Sequence, residues 1–143
     1  DMDIAFKLMK ISMYEELVNP WKNNEGIRLS VGDTKDELDK YLKRNRGMSY
    51  VCIDKNQNKI AGSILCGHDG RRGYIYHLAV SKKFRKNNIA KSLIERSLSK
   101  LKKSGIRRCI LMVDDLNISA KDFWLNAGWR RRTDLEMFSL DIL

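Results

Sequence analysis

Residues 73–101, GYIYHLAV followed by SKKFRKNN and then IAKSLIERSLSKL, restrict this chain more than any other stretch. The first segment is a compact apolar run of strand length, whereas Ile89, Leu93, Ile94, Leu98 and Leu101 in the last fall on one helical stripe. Gly105 just beyond serves as a stop. The spacing therefore predicts a strand, a basic loop and a long amphipathic helix in direct succession. In such a unit the first-turn N–H groups of the helix lack intrahelical partners and the helix dipole adds positive potential, which together favour an anion. Lys82, Lys83, Arg85, Lys86 and Lys91 surround that point with full charges, and a pyrophosphate fits it. On charge alone, an ordinary β–α loop with a solvated basic surface explains the cluster equally well.

The remaining chain supplies elements on either side. Met2, Ile4, Phe6 and Leu8 alternate and predict a first strand with one buried face. Ser12 and Glu15 have capping-box spacing at the start of a helix that Pro20 closes, and Thr34 and Glu37 repeat the device before a helix whose Leu38, Tyr41 and Leu42 share a face. Gly47 follows that helix as a stop. MSYVCID and KIAGSILCGH, joined by a turn at residues 55–58, and GYIYHLAV after DGRRG read as a three-stranded meander. RRCILMV reads as a buried strand, NISAKDFWLNAG as a short helix ending at Gly128, and DLEMFSLDI as a closing alternating strand. The order β-α-α-β-β-β-α-β-α-β predicts an α+β domain: a mixed, mostly antiparallel sheet of six to seven strands with about four helices over its two faces.

Composition excludes several classes. At 143 residues with 43% apolar side chains, one domain over residues 1–143 with a real core is expected. No apolar stretch approaches the ~20 residues that span a bilayer, and DMDIAFKLMK lacks the charged start and apolar block of a signal peptide, so a cytoplasmic location without membrane partners is expected. Cys52, Cys66 and Cys109 are scattered within apolar segments, which predicts reduced buried thiols and no metal site. A net charge of +10 invites nucleic acid as a partner. The chain has no zinc-finger spacing, aromatic RNA-binding signature or heptad-linked basic helix, and nucleic-acid binding is not expected.

The basic loop resembles motif A of the GNAT superfamily of acetyl-CoA-dependent N-acyltransferases, with Arg85, Lys86, Asn87, Asn88, Ile89 and Ala90 at the positions of Arg/Gln-x-x-Gly-x-Gly/Ala, after the LAV that ends the preceding strand. Asn117, Ala120, Phe123, Trp124, Gly128 and Trp129 resemble motif B, NPW and GHDGRRG are similar to segments of small bacterial members, and the element order matches that fold along nearly the whole chain. Two residues depart from the pattern. Asn88 stands where motif A has glycine; asparagine enters the left-handed region more readily than most residues, so the loop is expected to close around pyrophosphate. Trp124 stands where many relatives have the tyrosine that protonates departing coenzyme A, and an indole N–H is a donor that does not titrate usefully.

The resemblance implies acetyl transfer from acetyl-CoA to a primary amine of a small molecule or peptide in a ternary complex, by a monomer or homodimer. It assigns Leu78, Ala79 and Val80 to the pantetheine arm and thioester, Arg85 to Ala90 with Lys91 to the pyrophosphate, and Asn117, Ala120 and Phe123 to the thiol end. An ammonium with a pKa of ~10.4 needs a base before it attacks. The glutamate that relatives often carry on the fourth or fifth strand is missing from GYIYHLAV and CILMV. Tyr74, Tyr76, His77, Asp114 and Asp115 remain as candidates, His77 pointing to the opposite face from Tyr76 by strand alternation. The acceptor cleft, expected between the two helices of residues 12–46, the loop joining them and the C-terminal strands, would carry Glu15, Glu16, Glu25 and Asp33, which favours a cationic acceptor. A coenzyme A-binding module of the same fold that has lost catalysis is the competing reading.

Overall fold

The computed structural model describes residues 2–143, which fall into two compact units, residues 2–112 and residues 113–143. The first is built on a five-stranded sheet in the order β1-β2-β3-β4-β5: β1 (Ile4–Leu8), β2 (Tyr50–Asp54), β3 (Lys59–His68), β4 (Gly73–Val80) and β5 (Cys109–Ile110). β1 to β4 are antiparallel neighbours and β5 runs parallel to β4, giving the expected meander within a mixed sheet.

Helices α1 (Tyr14–Lys22) and α2 (Lys35–Arg44) cover one face, α3 (Ile89–Lys103) the other. Strand alternation in β3 divides the two layers. Ser63 and Gly67 face α1 and α2: the Trp21 indole donates to the Ser63 hydroxyl, and a Cβ on Gly67 would strike Tyr41 and Asn45. Gly62 instead faces Ile89 and Leu93 of α3. Leu17, Trp21 and Leu38 close over Val51, Leu65 and Ala79 to form the core beneath α1 and α2. Each such side chain removed from water contributes about 1.5–3 kcal/mol.

Several local expectations give way to tertiary context. The first strand begins at Ile4, and Leu8 at its end is exposed where a buried position was expected. Ser12 lies in a 3-10 turn, Ile11–Met13, and α1 is capped at Met13 without a side-chain bond, so no Ser12–Glu15 box forms. Pro20 sits inside α1, which runs on to Lys22; burial of Trp21 one residue later holds the helix through the lost donor. Of the box expected at α2, the Thr34 hydroxyl accepts from the Glu37 N–H, and Gly47 beyond the helix takes φ 79°. RRCILMV yields only the two half-buried residues of β5.

The second unit contains α4 (Ile118–Asn126), capped by the Asn117 side chain on the Ala120 N–H, with Gly128 at φ 93° beyond it. DLEMFSLDI forms no strand, and Leu135, Met137, Phe138, Leu140 and Ile142 are exposed. Five strands, rather than six or seven, are therefore formed among the described residues. Alternation predicts which residues share a face, not that a pairing edge exists for them.

Candidate functional site

The loop between β4 and α3 departs from extended geometry twice, with Lys86 at φ 67° and Asn88 at φ 61°. Asn88 is left-handed, as its place in the glycine position predicts, and is the N-cap of α3, but its side chain makes no capping bond. The first backbone bond of α3 runs from the Ser92 N–H to the Asn88 carbonyl at 3.0 Å. The N–H groups before it lie at the open, positive end of a fifteen-residue helix whose first turn contains no acid. Alternating handedness of this kind turns successive N–H groups into an anion-binding concavity. The loop is braced from within: Arg85 Nε donates to the Val80 carbonyl at 3.1 Å, Asn87 Nδ2 to the Phe84 and Arg85 carbonyls, and Phe84 is buried. Arg85 is thus partly committed to shaping the loop, while Ile89 seats α3 in the core.

Upstream, β4 breaks register. Ser63 pairs with Ala79 and Leu65 with Tyr76, so β3 has one residue, Ile64, where β4 has two, His77 and Leu78. This β-bulge, with His77 at φ 50°, interrupts the ladder at His77 and Leu78, and pairing resumes at Ala79 and Val80. Backbone groups at such an interruption are freed from the sheet. The bulge also overturns the alternation expected for His77. Its ring centroid lies 5.0 Å from that of Trp21 on α1, and Tyr76 lies 6.3 Å from Tyr41 on α2, so both consecutive side chains meet the same helical layer.

His77 Nε2 lies 2.6 Å from Oδ1 of Asp33, a residue that sequence reasoning placed only as an acidic wall of the cleft. Asp33 ends the 3-10 turn Val31–Asp33 and closes a capping box with Ser30, whose N–H donates to Oδ2 at 2.9 Å. Its carbonyl accepts the Tyr14 hydroxyl at 2.7 Å. Burial alone would raise the Asp33 carboxyl, but the bonds from His77 and the Ser30 N–H outweigh it and hold the group below the usual carboxylate range. Ser-x-x-Asp at residues 30–33 carries the capping-box spacing, the one sequence signal that could have located this carboxylate.

Tyr74 and Tyr76 share a face as predicted, their rings nearly parallel at 6.2 Å, and burial raises the Tyr76 phenol. The Tyr41 hydroxyl beside them is sealed and has no partner. Of the acidic residues expected to favour a cation, Glu15 is already bridged to Lys35 at 3.0 Å and Asp33 to His77. Cys52 and Cys66 are buried and Cys109 is half-buried, all as free thiols; burial pushes Cys66 up to about 12 and the other two to about 11.

In the second unit, Asn117 and Ala120 form the cap of α4, and Phe123, Trp124 and Trp129 make a ring cluster with centroids 5.1 and 5.0 Å apart. Phe123 is exposed, and Trp124 is half-buried. Asp115 binds Lys121, and Asp114 accepts the Leu116 N–H in the loop before α4.

Comparison with known proteins gives this geometry its family. Residues 11–129 match the model of the Acetyltransferase (GNAT) family. Acetyltransferase ECA0875 of Pectobacterium atrosepticum is 31% identical over 109 residues, covering 75% of this chain and 69% of its own length. An acetyltransferase of GNAT family from Staphylococcus aureus Mu50 superposes with a TM-score of 0.78 at 24% identity, over 98% of this chain and 94% of its own. AAC(6′)-Iy, solved with the bisubstrate analogue CoA-S-monomethyl-acetylneamine, gives 0.75 at 13% identity, over 97% and 99% of the two chains, a likeness of fold. A loop with a left-handed residue at an uncapped helix end, a bulged strand before it and the family match over both motifs have one explanation: the chain belongs to the GNAT family of acetyltransferases.

Proposed function

We propose that the chain transfers the acetyl group of acetyl-CoA directly to a primary amine of a small molecule or peptide within a ternary complex. The observation that carries this reading is the pairing of the bulge at His77 and Leu78 with the left-handed Asn88 at the uncapped start of α3. One interrupts a ladder where a thioester must lie, and the other opens a helix end where a pyrophosphate must lie. N–H groups at Leu78 and Val80 hold the pantetheine arm and polarise the thioester oxygen, an electrostatic role that needs no particular side chain. Residues Arg85 to Lys91 take the pyrophosphate on backbone N–H groups, with Lys86 and Lys91 supplying charge. The amine attacks the carbonyl carbon, the C–N bond forms, the C–S bond breaks, and coenzyme A leaves as a thiolate. A thiolate with a pKa near ~8.5 is stable enough to depart without a protein acid, which accommodates Trp124.

Thermal unfolding tests the coenzyme half. Acetyl-CoA should raise the Tm by mass action, and analogues without the pyrophosphate should raise it less. No shift at millimolar acetyl-CoA would overturn the proposal. Thiol release from acetyl-CoA in the presence of polyamines, aminoglycosides and peptides with free N-termini identifies the acceptor.

A further inference from the structure

His77 occupies a backbone conformation that costs an L-residue about 1–2 kcal/mol. Its ring lies tilted at 58° against that of a fully buried tryptophan, and its Nε2 is held 2.6 Å from the carboxylate of Asp33, which the Ser30 N–H fixes at the other oxygen and the Tyr14 hydroxyl fixes at the backbone carbonyl. Strain of this kind persists only where the surroundings over-determine it, and it concentrates where a side chain must be aimed. We propose that His77 is the general base that removes the proton of the acceptor ammonium through Nδ1, and that Asp33 is the positioning residue that fixes the tautomer leaving Nδ1 unprotonated. The proposal rests on the acetyltransferase reading above and deepens it.

Ring chemistry follows from the partners. An ionised carboxylate only accepts, so the 2.6 Å contact is a bond from Nε2–H to Asp33 Oδ1, and the lone pair of neutral His77 lies on Nδ1. Nδ1 makes no hydrogen bond to another described residue. The His77 side chain is 13% exposed, and among the described residues the only sealed, unpartnered side-chain polar atom is the Tyr41 hydroxyl. The groups around the ring are Asp33 from the 3-10 turn, neutral Trp21 from α1 and Tyr76 on its own strand, while the Tyr14 hydroxyl acts on the Asp33 carbonyl. Asp33 is the carboxylate bonded to the ring.

The proton balance closes. Nδ1 takes one proton from R–NH3+, giving R–NH2 and an imidazolium that Asp33 stabilises. The amine lone pair then forms the C–N bond, the tetrahedral intermediate expels the thiolate, and the amide nitrogen loses its second proton to that thiolate. His77 returns its own proton to solvent.

Asp33→Asn is the informative change. The Ser30 N–H at Oδ2 will attract the single amide oxygen, which turns the amide NH2 toward Nε2. Nε2 then accepts, the proton moves to Nδ1, and the base is lost without loss of the hydrogen bond. Three measurements on the full chain test this. Imidazole 15N–1H correlation spectra should show the Nε2–H tautomer in the wild type and the Nδ1–H tautomer in Asp33→Asn. With acetyl-CoA and the best acceptor among spermidine, kanamycin and a lysine peptide, Asp33→Asn and His77→Gln should each lower kcat about 10²-fold while the KM for acetyl-CoA stays within about twofold. His77→Gly, which suits the positive φ, should regain rate on addition of imidazole. An Nδ1–H tautomer in the wild type would overturn the proposal whatever the acceptor, as would folded variants whose kcat falls less than about threefold. Acetyl-CoA that binds but is turned over with none of these amines would also count against the base. Absence of acetyl-CoA binding would instead defeat the acetyltransferase reading itself.

Discussion

The Trp21 indole N–H donates to the Ser63 hydroxyl at 3.0 Å, and the same ring lies 5.0 Å from that of His77. Both members of the bond are buried, so α1 is latched to the centre of the sheet by the residue that also fixes the bulge. Trp21→Phe keeps an aromatic wall but leaves the buried Ser63 hydroxyl without its donor. It should cost about 1–3 kcal/mol, read as a lower urea midpoint. The substitution should also broaden the His77 ring resonances; unchanged resonances would show that the imidazole is held by Asp33 alone.

Asn88 tests the anion loop. Asn88→Gly should match or exceed the wild-type affinity for acetyl-CoA, since glycine enters φ 61° freely. Asn88→Val should weaken binding and lower stability by about 1–2 kcal/mol, because a β-branched side chain resists that angle. Calorimetric titration of the two variants decides it, and equal affinities would show that the left-handed turn is irrelevant to the ligand.

Gly67 has no freedom to give. A Cβ there would lie 2.5 Å from the Asn45 side chain and 2.6 Å from the Tyr41 hydroxyl, and Asn45 is itself held by the His68 N–H at 3.0 Å. Gly67→Ala should therefore destabilise the fold by about 1–3 kcal/mol through overpacking, seen as a fall in Tm. The displaced Tyr41 ring should carry Tyr76 with it, so the acceptor KM should rise as well.

Acid sensitivity follows from Asp33. Its folded-state pKa is depressed below the ordinary value, so the stability it contributes is complete above the unfolded pKa of ~3.9 and is lost as pH falls through the lower folded value. Asp33→Asn should be less stable than the wild type at pH 6 and should flatten the dependence of the urea midpoint on pH below ~4. Parallel curves for the two proteins in that range would contradict the assignment.

Trp124→Tyr would give the chain the residue typical of relatives at a half-buried site. A phenol with a pKa of ~10 should raise kcat, by up to ~10²-fold, if thiolate departure limits the rate. If amine deprotonation limits it, kcat should stay near wild type. Trp124→Phe should retain most of kcat in either case.

Periodicity made the frame legible. The meander, the cap at Thr34, the stripe of α3 and the left-handed Asn88 all follow from residue type and local spacing. Features that depend on a partner far along the chain did not. The bulge in β4 leaves no mark in GYIYHLAV, because an extra residue shows only against the register of β3. His77 and Asp33 are 44 residues apart, and nothing in either neighbourhood announces the other. Pro20 misled for a related reason: its helix-breaking tendency is local, whereas the burial that overrides it belongs to the tertiary core.

Most helices finish their own ends with a polar cap or an early carboxylate, and α3 has neither at Asn88. Its far end is the reverse, with Lys100, Lys102 and Lys103 set against the negative pole. The helix is thus complete at one terminus and waits at the other for a counter-charge that the sequence withholds. On the proposed reading, an arriving dianion would supply the missing cap and make ligand and secondary structure a single cooperative unit. Amide hydrogen exchange should register this directly, as fast exchange over the first turn of α3 in the free protein and slowing confined to that turn and its loop once the pole is occupied.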